Sequence, residues 1–210
     1  MDVVIRNPQT LTGAHGDKTQ HLHTDTVQRS ESDRAARLGW RFNINTGSIV
    51  VSDALVTSML YIKNTGDDPM IIGALIYNLG TATDATAGVG STIDVIRNPT
   101  AGPIITNANN VLVGAGVEAN MNFGSTNSMT GLFYKGDTSE TACTDGSVCI
   151  TSLIASVTGR HVVSLGALVL PKGTAIGINY TAPTSTSAQT VQFAVSAHIR
   201  TQAVADSETA

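Results

Sequence analysis

The sequence predicts an all-β chain, an antiparallel β-sandwich preceded by an extended N-terminal arm. Two observations carry this. Only 13% of the 210 residues are charged while 41% are hydrophobic. Ordinary soluble domains carry roughly 25% charged residues, so the outer surface here must be built from Thr, Ser, Asn and Gly. That suits strands with hydroxyl-rich outer faces joined by Gly/Asn turns. The second observation is a series of short apolar segments with period-two alternation, separated by turn clusters at regular spacing.

Residues 1–37 are set apart as the arm. They hold three of the five histidines, Gly13 and Gly16, and a mixed charge run from Gln28 to Arg37. Their apolar periodicity is poor, with at most a short helical turn over 32–37. The sandwich is expected over 38–200 and a flexible tail over 201–210. Trp40, Phe42 and Ile44 alternate with Arg41, Asn43 and Asn45, which predicts a strand ending in a turn at Asn45-Thr46-Gly47-Ser48. Further strands are expected at 49–51, 55–62, 70–79, 91–96, 103–113, 128–134, 148–157, 162–170, 174–181 and 190–200. A helix over 51–59 is the rival at that position, with Asp53 as its cap. The apolar runs Leu75-Ile76-Tyr77 and Leu168-Val169-Leu170 should be covered on both faces. Val4-Ile5-Arg6-Asn7-Pro8 recurs as Val95-Ile96-Arg97-Asn98-Pro99. Either two strand ends stop at the same turn dipeptide, or both segments are equivalent edge strands, one of them lent to a neighbouring subunit.

A formal net charge of −4 gives no basic footprint for nucleic acid. Aromatic residues, at 4%, are too few for a base-stacking platform. No apolar run approaches a membrane span, and the N-terminus lacks the pattern of a secretory signal. Synthesis in a cytoplasm, with a working place outside a cell, is the expectation.

Cys143 and Cys149 flank Thr-Asp-Gly-Ser-Val. They form either a small disulfide loop or two reduced thiols. His21 and His23 are the best metal candidates, since alternate residues of an extended arm face one way, and a three-fold axis could gather several imidazoles. No carboxylate stands nearby to orient them, so an arm without metal is the expected state. Asp137, Glu140 and Asp145 share one polar loop but follow no ordered calcium pattern. No nucleophile elbow, phosphate loop, dinucleotide fingerprint or metalloprotease helix occurs. His161 and His198 read as structural histidines. The chain is therefore expected to have no enzymatic activity and no cofactor.

The C-terminal third carries a resemblance. Leu168-Val169-Leu170-Pro171-Lys172-Gly173 leads into Thr174-Ala175-Ile176-Gly177-Ile178-Asn179-Tyr180-Thr181, and Thr190-Val191-Gln192-Phe193-Ala194-Val195 follows. A strand stopped at Pro-Lys-Gly, an apolar strand and a long closing strand resemble the ending of jelly-roll decoration (cement) or head-fibre proteins of tailed phages. The resemblance implies a jelly roll on the capsid exterior that binds the major capsid protein and stabilises the assembled head, commonly as a homotrimer. Arg29, Arg34 and Arg37 would then be the docking residues of the arm, offering forks to acidic groups. The rivals are a receptor- or glycan-binding sandwich of a fibre or tail tip, a jelly-roll major capsid protein, and a β-sandwich hydrolase. Few aromatic anchors count against the first. The second would often carry a basic interior arm, and the third lacks a visible catalytic set.

Overall fold

The computed structural model describes residues 5–7, 12–16, 22–25, 30–51, 56–79, 90–106, 118–137, 141–153, 159–182 and 189–201. Strands β1 (Ile5–Asn7), β2 (Thr12–Gly16) and β3 (Leu22–Asp25) form a small antiparallel sheet of their own. Helix α1 (Glu31–Leu38) follows. The body then runs β4 (Arg41–Val51), β5 (Val56–Asn64), β6 (Met70–Leu79), β7 (Thr92–Arg97), α2 (Pro103–Thr106), β8 (Glu118–Asn120), β9 (Gly131–Lys135), β10 (Ser147–Leu153), β11 (Gly159–Leu170), β12 (Ala175–Thr181) and β13 (Gln189–Ile199).

These body strands make two five-stranded antiparallel sheets, ordered β10-β7-β12-β5-β9 and β11-β6-β13-β4-β8. The pairing is nested. β4 pairs with β13, β5 with β12, β6 with β11, and β7 with β10. The first of these eight strands thus meets the last, the second meets the next to last, and so inward. A long antiparallel hairpin rolled on itself in this way is a jelly roll. The cross-pairs β13–β6 and β12–β7 close the roll, and β8 and β9 extend its two sheets at one edge.

The main core lies between the sheets. Phe42, Ile44, Leu60, Ile62, Ile72, Leu75, Ile178, Val195 and Phe193 are all fully enclosed. A second, smaller core covers the outer face of the β7-β12-β5 sheet. There Tyr61, Ile96, Ile104, Cys143 and Ala175 pack under α2 and residues 141–146. Burial on both faces explains why β12 is inaccessible along nearly its whole length.

Several local expectations change. The turn at Asn45–Ser48 is a bulge inside one continuous strand. Gln192 pairs with Ser48 and Ala194 with Asn45, so Thr46 and Gly47 together oppose Phe193. Gly47 takes φ +67°, and the buried Thr46 hydroxyl accepts the Phe193 N–H at 3.0 Å. The side chain replaces the ladder bond that a turn would have abandoned. Segment 103–113 does not begin as a strand. Pro103 opens α2, as its fixed φ favours, and drives Ile104 into the second core. Residues 107–113 lie outside the described residues. At the rival helix position, 56–64 is strand; 52–55 lie outside the described residues.

Val95–Arg97 belong to interior strand β7, between β10 and β12, so the second copy of the pentapeptide is no edge. Nor is Leu168-Val169-Leu170 covered on both faces. β11 is an edge strand, and Val169 is 54% exposed.

Candidate functional site

The arm does not end as a separate piece at residue 37. Ser30 caps α1 by accepting the Asp33 N–H at 3.2 Å. Gly39 ends it in the left-handed conformation at φ 75°, and its N–H donates to the Ala36 carbonyl. The helix lies against β4 and β13, with Ala35 buried at the contact. Residues 31–37 are therefore fastened to the body, because one small apolar side chain and a polar frame suffice to seat a two-turn helix.

That frame has two parts. At the start of the helix, Glu31 Oε1 lies 3.4 Å from His198 Nε2 and 3.5 Å from Arg200 Nε. Burial pushes the His198 pKa below its ordinary 6.5, against the pull of the Glu31 carboxylate. At the other end, three asparagine amides, from the last residue of β8 and the segment after it, close the last carbonyls. Asn122 Nδ2 donates to Arg37 O at 2.9 Å, Asn127 Nδ2 to Leu38 O at 3.1 Å, and Asn120 Nδ2 to Gly39 O at 2.9 Å. Each of these carbonyls would otherwise be left without an intrahelical partner.

The same asparagines fold their own loop. Asn120 Oδ1 accepts from Asn122 N, and Asn122 Oδ1 accepts from Gly124 N. These are successive Asx turns. The loop they build lifts Phe123 into solvent at 97% exposure, beside the half-exposed Met121.

On the opposite edge of the sandwich, the sheets part between β10 and β11. A groove of about 410 Å³ opens there. Leu168, Val169, Leu170, Pro171 and Ile176 form its apolar wall, and the exposed Arg97 stands at its rim. Cys149 also lines it.

Of the expected docking residues, Arg34 and Arg37 lie on α1, the first half-buried and the second exposed. Arg29 lies outside the described residues, as does His21. His23 is in β3, in register with His15 of β2. Cys143 and Cys149 do not form the disulfide loop. The Cys143 thiol is 3.0 Å from Ser58 Oγ in the second core, and the Cys149 thiol donates to Val95 O at 3.1 Å. Cys149 is the bulged residue of β10, between Val148 and Ile150 where the register with β7 shifts, while Cys143 precedes the strand and is held by Asn179 in the second core, so the intervening Asp-Gly turn does not bring them together. Glu140 of the acidic loop lies outside the described residues. Among the described residues no three His, Cys, Asp or Glu side chains come together, and no helix is long and apolar enough to cross a membrane.

Reading the sequence missed Glu31, the asparagine frame and Phe123. The Asn-rich stretch 120–127 was a visible signal, but its partners are some 80 residues away in the chain.

No protein-family model matches the chain, and no curated protein matches it. Among solved structures, it is similar to a chain in the crystal structure of the T13 IBDV viral particle. That match has 10% identity and a TM-score of 0.18, over 91% of this chain and 44% of the other. A structure of infectious bursal disease virus Gx strain follows, with 10% identity and a TM-score of 0.12, over 92% of this chain and 49% of the other. For the VP2 subviral particle of infectious bursal disease virus, identity is 11% and the TM-score 0.12, over 88% of this chain and 45% of the other. The chain spans less than half the length of each of these proteins. Likeness at that level carries no argument, and the jelly roll stands on its own strand pairing.

Proposed function

We propose that this chain is a virion structural protein, a decoration protein that binds the outside of an assembled phage head and reinforces it as a homotrimer. The observation that carries the reading is the nested pairing of eight strands, first with last. Jelly rolls recur in viral capsid and lectin domains. Fold alone does not assign function, so the surface must narrow the choice. At 13% charged residues, the sandwich can approach neighbours without strong repulsion. Docking is assigned to the arm and α1, with Arg29, Arg34 and Arg37 facing acidic groups of the major capsid protein. Bridging adjacent shell subunits raises the free energy of separating them. The reading assigns the chain no catalytic step, cofactor, membrane or nucleic acid.

The test is to purify particles from cells that make the chain and to quantify it in the banded particles. Stoichiometric presence is expected, with shells that stay closed after the chain is stripped and take it up again. Absence from particles overturns the reading. The same strand order also favours a second reading, a jelly-roll shell subunit. Shells that fall apart when the chain is removed would select that one.

A further inference from the structure

We propose that α1 is an acid-released latch: protonation of His198 lifts the first turn of the helix from β4 and β13, so that the root of the arm comes free while the jelly roll stays folded.

The helix is held by little beyond its two ends. Ala35 is its one fully buried residue. A helix of eight residues is not stable by itself in water, so lifting α1 also melts it. The two ends are held by different chemistry. The asparagine amides on Arg37 O, Leu38 O and Gly39 O contain no titratable group. The first turn rests on Glu31 against His198, and an imidazole is the side chain that changes charge in mild acid. Acid therefore acts on the first turn and leaves the last one fastened.

Register and geometry fix the direction. Across the sheet His198 is opposite Arg41 of β4 on one side and the uncharged Ile71 of β6 on the other. Like charges directly opposite in an antiparallel pair are destabilising, so a proton on His198 sets a cation against the Arg41 guanidinium. The helix answers with one carboxylate. Glu31 Oε1 lies 3.4 Å from His198 Nε2 and 3.5 Å from Arg200 Nε, so an imidazolium would share that oxygen with Arg200. Arg34, one turn further along α1, adds positive charge. The His198 side chain is only 9% exposed and its Nε2 makes no hydrogen bond. Water cannot take up the new charge while α1 covers it; once the helix lifts, it can. Burial already holds the imidazole neutral below its ordinary range, which acts in the same direction.

Release changes the reach of the arm. Eight residues rise about 12 Å as a helix and span up to about 26 Å when extended. Arg34, half-buried on the docked helix, becomes accessible with them. The amide bonds at residues 37–39 make the hinge.

The test is amide exchange on the full chain at pH 7.5 and pH 5, read by mass spectrometry and corrected for the intrinsic rate. Protection of residues 31–38 should fall roughly fivefold or more in acid, while β6 and β13 keep theirs. Loss in α1 and the strands together would mean that acid opens the whole roll. Unchanged or higher protection of α1 would mean that the ion pair with Glu31 tightens it. Either result overturns the latch. His198→Gln keeps a neutral side chain at both pH values and should leave α1 equally protected at both. Arg41→Gln, a milder change, removes the charge opposite His198 and should shrink the acid loss. An acid loss of wild-type size in either variant overturns His198 as the trigger.

Discussion

Glu31 Oε1 stands 3.4 Å from His198 Nε2, tying the first turn of α1 to the last strand of the roll. The imidazole is largely enclosed, with Arg41 and Arg200 as further charges acting on it. Burial depresses its pKa, so the unfolded chain takes up this proton at higher pH than the folded chain does. The folded state is therefore favoured above pH 6.5 and loses stability as pH falls below it, until the folded imidazole also protonates. Thermal melts from pH 7.5 to 5 should show the loss, and His198→Gln should flatten it.

Glu31→Gln removes the negative charge that opposes the depression. The pH at which the His198 imidazole titrates should then fall further, as followed by its proton resonances. A rise would mean that the carboxylate does not act on the ring.

Gly39→Ala should destabilise the docking of α1. Any side chain strains the left-handed cap, by about 1–2 kcal/mol, and the new methyl would also collide with the Ser125 side chain. Amide exchange in α1 should accelerate more than exchange in β13. Asn122→Ala should act in the same direction by about 1 kcal/mol through the loss of its bond to Arg37 O.

Thr46→Val keeps the shape of the side chain but removes the oxygen that accepts the Phe193 N–H. A buried donor without a partner costs about 1–3 kcal/mol. Denaturant midpoints should fall accordingly, with the slope unchanged. An unaltered midpoint would show that the bulge is held by Gly47 alone.

Tyr180→Phe should cost a similar amount, about 1–3 kcal/mol. The Tyr180 hydroxyl is bonded to Ser91 Oγ and donates to Gln189 Oε1 inside the core. Burial raises its pKa, so it remains protonated as that donor at ordinary pH. Adding Ser91→Ala to this variant should cost less than the two single changes summed, because the hydroxyls are partners.

Strand identity was legible along the body because period-two patterning and turn residues are local. Trp40–Ile44 and 190–199 announced themselves in this way, and 70–79 as an apolar run between turn residues. The Thr46-Gly47 bulge did not. Its residues are those of a turn, and only Phe193, on a strand far along the chain, supplies the donor that keeps β4 continuous. Likewise Pro103-Ile104-Ile105 is apolar enough for a strand, and what makes it a helical turn is the second core waiting above β12.

By itself, the sequence determined a low-charge antiparallel β-body and where its main strands lie, since side-chain alternation and turn chemistry act over a few residues. Only the tertiary structure decided the nested pairing of β4 with β13 through β7 with β10, the seating of α1 by Glu31, His198 and three asparagines, and the placing of the exposed Phe123 and the β10/β11 groove on opposite edges. Those depend on hydrogen bonds and burial between residues tens to over a hundred positions apart. No local pattern encodes which distant strand will supply the partner.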